Sequence, residues 1–283
     1  MVPITRHYVG FFYNRRVFEE LSLTVLATWT ELEAAARAVA DSGVTPFALG
    51  ASTRWPAQFW FDYALLRTAG LEYRSELLSG ARSFTDPEVV TALELVASQL
   101  REGAFNADAT EIDWDEAALS VARGEAAMTL MGTWLIGFYG EEGVADDEYG
   151  FFPFPVINED APDIGLGPVD GILTAARARN PAEAREVLRR MIEPGPQTTF
   201  NVAAGAISPH LGVDTAVYPV VQQEIVERIE SADGWAFNFD LATPPELAEL
   251  GLESLVRIVA APGMLLDELE RWESAAREAW AGR

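Results

Sequence analysis

The 283-residue chain is predicted to fold as an α/β protein. Two patterns point there: short apolar runs that read as buried strands alternate with segments of helical spacing, and capping signals stand where helices should begin. Composition agrees, because 49% hydrophobic and 23% charged residues suit a globular chain with a real core.

Tyr8 to Tyr13 reads as a buried strand and Asn14 to Leu21 as a short helix. Thr28-Trp29-Thr30-Glu31 fits a capping box, in which hydroxyl and carboxylate satisfy orphan amides. Leu32, Ala35, Ala36 and Val39 then share a face, and Gly43 stands where a C-terminal cap belongs. Val44 to Gly50 reads as a strand, and Arg54 to Phe61 opens a helix running to Thr68, with Pro56 in its first turn. Thr85-Asp86-Pro87-Glu88 reads as a second capping box, before Val89, Leu93, Val96 and Leu100. A short helix runs from Asp113 to Gly124, and Ala126 to Met131 is a strand ending at Gly132-Thr133-Trp134. Gly140 to Glu148 and Asn158 to Pro168 read as loops, with Phe151 to Pro155 extended between them. Gly171 to Ala176 is expected as a strand, followed by a helix capped at Asn180 with Val187, Leu188, Met191 and Ile192 inward. Gly205 to Pro209 is extended, and the remainder is mainly helical. The last helix turns Leu265, Leu269, Trp272 and Ala276 inward.

Charge narrows the partners. Asp and Glu number 44 against 20 basic residues, a formal net charge of −24, and every basic residue is Arg. Such a surface repels phosphate backbones and anionic headgroups, so neither nucleic acid nor direct membrane insertion is expected. The acidity is compatible with plain solubility or with a high-salt habitat; the Arg-only usage equally suits a GC-rich genome. With no Cys, disulfides, thiolate metal sites and a Cys nucleophile are excluded. His7 and His210 are the only His and fit no metal-ligand pattern; no P-loop or G-x-S-x-G occurs. No catalytic residue, metal or cofactor is therefore expected. The opening Met1-Val2-Pro3-Ile4-Thr5-Arg6-His7 lacks the basic start and apolar stretch of a signal peptide, so the chain as written is expected to stay in the cytoplasm.

Eight Trp remain to be explained, several beside polar residues. Trp55 follows Arg54, Trp134 follows Gly132-Thr133, and Trp235 precedes Asn238 and Asp240. Core packing is one reading. The other is sugar stacking, because a pyranose has an apolar C–H face for an indole and a rim of hydroxyls for polar groups.

Five stretches together resemble the extracellular solute-binding proteins of ABC importers, in the sugar-binding group that includes maltose-binding protein. They are Pro3 to Leu23, Thr28 to Leu32 (T-W-x-E-L), Pro46 to Trp60, Ala118 to Trp134 (G-x-A-A-M…G-x-W) and Asp170 to Pro209. The resemblance implies a periplasmic-binding-protein-like type II fold, two lobes closing on a solute. It implies that residues 10–168 and 210–283 form the C-terminal lobe, and that 1–9 and 169–209 are the remaining part of an incomplete N-terminal lobe. A strand and helix of that lobe should then leave apolar faces uncovered. The implied partners are a sugar or oligosaccharide and a membrane permease, with the full-length protein extracellular or periplasmic. Carried over by position, the ligand-binding candidates are His7, Arg54, Trp55, Trp134, Asp170, Trp235 and Asp240. A non-binding remnant or interaction protein is the alternative, and a glycosidase a more distant one.

Overall fold

The computed structural model describes residues 1–281. In chain order the strands are β1 (Val2–Arg6), β2 (Val9–Asn14), β3 (Thr45–Phe47), β4 (Ala126–Gly132), β5 (Tyr149–Phe152), β6 (Ile164–Leu166), β7 (Val169–Ile172) and β8 (Gly234–Ala236). A mixed four-stranded sheet in the order β3-β4-β2-β5 forms the centre. In it β2 lies antiparallel to β4, with Phe11 opposite Leu130, and antiparallel to β5, with Phe11 opposite Phe152. β3 runs parallel to β4, with Phe47 opposite Met128. Every residue of β2, β4 and β5 is buried, because helices cover both faces, and these strands accordingly read as continuous apolar runs.

Helix starts follow their local chemistry. Thr28 and Glu31 form the expected capping box on the Trp29–Asp41 helix, and Asn14 accepts from the Val17 amide at the Arg15–Glu20 helix. The Gln58–Thr68 helix is buried on every side from Gln58 to Arg67. Its two charged residues are therefore paired: Asp62 accepts from Arg74 Nε at 2.9 Å and Nη2 at 2.6 Å, and Arg67 holds Asp163 at 2.6 Å. The closing Leu265–Ala281 helix buries Leu265, Leu269, Trp272 and Ala276, as the spacing predicts.

Two small pairings tie the rest of the chain to this core. β1 pairs with β7 antiparallel, and Arg6 also exchanges backbone bonds with Ile207, so three segments cross side by side. β6 pairs with β8 in parallel. Among the described residues no helix is long and apolar enough to cross a membrane.

Several elements depart from the sequence reading. The Thr85 capping box does not form: Asp86 precedes the Pro87–Arg101 helix, and its carboxylate turns back to the Ser83 amide and the Tyr73 hydroxyl. Trp134–Glu142 is helical, although Gly137 and Gly140 make it a poor helix former. Gly137 stands where the Ala204–Gly205 backbone presses against the helix and leaves no room for a Cβ. Gly70–Leu78 and Pro194–Ala203 are further helices, and β6 and β8 are strands too short to show a period. The expected strand at Gly171 begins earlier, as β7, and stops at Ile172. The Pro181–Met191 helix forms, but none of its residues is fully buried: Ala184, Leu188 and Met191 are half-buried beside β1 and the Pro194–Ala203 helix, and Val187, expected inward, is exposed.

Candidate functional site

The strand β4 ends in Gly132-Thr133-Trp134, and each residue has a separate task. Any Cβ at Gly132 would overlap the Trp134 indole, so glycine lets the ring fold back over the strand end. Thr133 is fully buried; its amide donates to Tyr8 O at 3.1 Å. Its hydroxyl lies 2.8 Å from Nδ1 of His7, the residue just beyond β1. The Trp134 ring is half-buried and meets the His7 imidazole edge-on at 5.2 Å.

From Trp134 a row of half-exposed rings leads outward. Trp55 meets it at 5.7 Å, Trp114 lies 6.3 Å beyond Trp55, and Phe138 lies 5.1 Å from Trp114. Such pairs contribute about 0.5–1.5 kcal/mol each beyond their burial. Trp55 is aimed by an unusual turn. Arg54 has φ 70° and ψ −44°, and the Trp55 amide bonds back to Thr53 O at 2.9 Å, the rarer γ-turn of positive φ. A non-glycine residue held there is strained, and strain of this kind gathers at functional sites.

On the crossing strands, Asp170 of β7 is exposed and lies across from Thr5 of β1. Its Oδ2 accepts from the Thr5 hydroxyl at 2.9 Å and lies 3.3 Å from His7 Nε2. Burial pushes the His7 imidazole below its ordinary range, and the pull of Asp170 in the other direction does not overcome it. His7 is thus neutral at pH 7.

His7, Trp55, Trp134 and Asp170 therefore come together. The other three sequence candidates make different contacts. Arg54 donates to Glu249 at 2.8 Å, an exposed pair worth little. Trp235 gives its indole N–H to Gly167 O at 3.0 Å, and the Arg6 guanidinium covers its ring at 3.8 Å. Asp240 lies over the start of the Gln58–Thr68 helix, where its amide donates to Gln58 Oε1 at 2.9 Å. Burial raises its carboxyl above the usual carboxylate range, against the bonds it receives. Thr5, Thr133 and Trp114 join the group without having been singled out. Thr133 lies inside the Gly132-Thr133-Trp134 motif, whereas Trp114 stands at the start of the Asp113 to Gly124 helix, where spacing alone gives it no role. Among the described residues no group of three or more His, Asp or Glu is placed to hold a metal ion.

The fold and the family are shared with known proteins. The chain superimposes on the solute receptor AcbH, described as having an exclusive preference for β-D-galactopyranose, with a TM-score of 0.90 over 98% of this chain and 72% of that one at 23% identity. A chitin oligosaccharide binding protein matches with a TM-score of 0.89 at 21% identity, over 99% of this chain and 71% of that one. These likenesses establish the periplasmic-binding-protein-like type II fold. In sequence, an uncharacterized ABC transporter extracellular-binding protein of Pyrococcus horikoshii is 30% identical over 236 residues, 82% of this chain and 52% of that protein. The osmoprotective compounds-binding protein GgtB of Synechocystis is 25% identical over 232 residues, 77% of this chain and 54% of that protein. The chain thus spans about half the length of the curated relatives it matches. The model of the bacterial extracellular solute-binding proteins, a family of binding proteins, matches residues 2–198, and the chain belongs to that family.

Proposed function

We propose that this chain carries the solute-binding surface of an ABC importer and takes a sugar or oligosaccharide between two lobes. One lobe comprises residues 10–168 and 210–283, and residues 1–9 and 169–209 belong to the other. The observation that carries the reading is the row Trp114–Trp55–Trp134, which ends at the His7–Asp170 pair on the crossing strands. Indole faces suit pyranose C–H faces, and an exposed carboxylate suits a pair of hydroxyls. The chemistry is binding without catalysis, and the loaded protein would present its solute to a membrane permease outside the cytoplasm.

The test is a titration of tryptophan fluorescence in the full chain with a panel of mono- and oligosaccharides. A binding sugar should change the emission and raise the melting temperature. Trp134→Ala should weaken that sugar's affinity at least tenfold, a loss of about 1.4 kcal/mol. A panel that leaves both emission and melting temperature unchanged overturns the assignment, and turnover of a bound sugar overturns the non-catalytic part.

A further inference from the structure

His7 reaches two parts of the proposed site at once. Nδ1 lies 2.8 Å from the Thr133 hydroxyl, at the turn that launches Trp134, and Nε2 lies 3.3 Å from Asp170 Oδ2 on β7. A neutral imidazole has one donor and one acceptor nitrogen, whereas an ionised carboxylate only accepts. Nε2 therefore carries the proton and donates to Asp170, and Nδ1 accepts from the Thr133 hydroxyl. One tautomer satisfies both bonds, and the chain of donors has one direction, Thr133 to His7 to Asp170. Thr5 donates into the same Asp170 oxygen at 2.9 Å, so Oδ1 takes part in neither bond.

We propose that His7 is a positioning residue: in its neutral Nε2–H form it ties the Trp134 turn to the Asp170 carboxylate in one arrangement, and its protonation releases the Thr133 side of that tie while Asp170 keeps hold of the ring, so that solute affinity falls in acid. The last clause rests on the proposed solute-binding function; the tie does not.

The physical argument lies in what a second proton must do. It lands on Nδ1, which then has to donate to the Thr133 oxygen. Thr133 must turn its own hydroxyl hydrogen elsewhere, in a place where the residue has no exposed surface. The imidazole is itself buried, and burial opposes its charge. The groups around it are few. Asp170 faces it from β7, and Thr133 and Trp134 face it from the turn after β4. Pro168 offers a backbone carbonyl to the His7 amide at 3.0 Å. Arg6, the adjacent cation on β1, is turned onto Trp235. Asp170 is thus the charged group that acts on His7, and it moderates the effect of burial without reversing it.

The chain has two histidines, so a His210→Gln background leaves His7 as the one imidazole signal in an NMR pH titration of the full chain. His7 should titrate below 6.5, and tryptophan emission should change with the same midpoint. Asp170→Asn should lower that midpoint, because it removes the charge favouring imidazolium. His7→Gln and Trp134→Phe should each abolish the emission step. Emission that ignores the His7 titration, or a midpoint that Asp170→Asn leaves in place, overturns the positioning role. For a sugar that binds, affinity one pH unit below the midpoint should fall about tenfold, since only the neutral fraction is competent. In His7→Gln it should be independent of pH over that range. A pH-independent affinity in the unsubstituted chain overturns the release. If no sugar in the panel binds at any pH while the emission step remains, the solute-binding function fails and the positioning role stands.

Discussion

The Trp29–Asp41 helix buries Trp29, Leu32, Ala35, Ala36 and Val39 against the sheet, whereas the Pro181–Met191 helix, with a clear apolar stripe of its own, only half-buries Leu188 and Met191 and leaves Val187 exposed. The same contrast extends to the regions around them. Around β2 and β4 the rings of Phe11 and Phe152 stack at 5.1 Å, and Phe47 meets Trp60 at 5.2 Å. Around β7 the ties are polar. Gln197 donates to Pro3 O at 3.0 Å, Asn201 donates to Ile4 O at 2.8 Å, and Arg6 N–H bonds to Ile207 O at 2.7 Å. Each such bond contributes about 1 kcal/mol, whereas burying a large apolar side chain contributes about 1.5–3. The two regions therefore hold the proposed site from unequal footings. Trp134 and Trp55 are anchored in the packed core, and Asp170 is anchored chiefly through β1.

The largest expected effect tests the packed side. Asp62 is fully buried and held by Arg74, and it also accepts from the Phe239 amide at 2.8 Å, which pins the Phe239–Ala242 turn onto the core. Arg74→Met would leave that carboxylate buried without its cation, and about 3–5 kcal/mol of stability should be lost in urea denaturation at pH 7. Burial raises the Asp62 carboxyl to about 6 against the pull of Arg74. Without Arg74 that carboxyl is pushed higher still, so the variant should regain part of its stability as the pH falls from 7 toward the ordinary carboxylate range, because a protonated Asp62 no longer needs the cation. A loss under about 1 kcal/mol at pH 7 would show that the pair does not hold this region, by the measure usual for exposed pairs.

A smaller effect separates local from long-range determinants. Thr28→Ala removes the hydroxyl that caps the Glu31 amide and should cost about 1 kcal/mol in the same assay. Thr85→Ala should cost less than about 0.5 kcal/mol, because no helix amide depends on that hydroxyl, which instead contacts Ser83. The two four-residue motifs look alike in sequence. At the second, Asp86 directs its carboxylate to the Tyr73 hydroxyl at 3.1 Å, and a partner 13 residues away decides the outcome.

That difference describes how much could be read in advance. Strands β2 and β4 and the helices at Trp29, Pro87 and Leu265 follow from near-neighbour spacing, because their apolar faces meet the core. The Trp134–Glu142 helix does not, since Gly137 is set by its contact with the Ala204–Gly205 turn. The site divides in the same way. His7, Trp55, Trp134 and Asp170 were singled out from motif order, and the fold gathers them. Arg54 and Trp235 follow from the same grounds; their contacts do not, because Arg54 pairs with Glu249, the Trp235 ring lies under Arg6 and its N–H donates to Gly167 O, all partners distant in sequence.

The smallest expected effect bears most directly on the contrast between the regions. Val187 is 56% exposed, and Leu173 and Phe200 are exposed nearby in the chain. In an isolated chain Val187→Ser gives up little buried area, so the stability measured in urea should change by less than about 0.5 kcal/mol. The same substitution on the packed helix, Val39→Ser, removes a fully buried side chain and should cost several times more. Sedimentation should be run on both variants across a tenfold range of concentration. If Val187→Ser destabilises by more than about 1 kcal/mol, and by more at high concentration than at low, the stripe is covered by a second copy in solution. A loss of that size independent of concentration would instead show that Val187 is packed within one chain, and the contrast between the two regions would then be wrong.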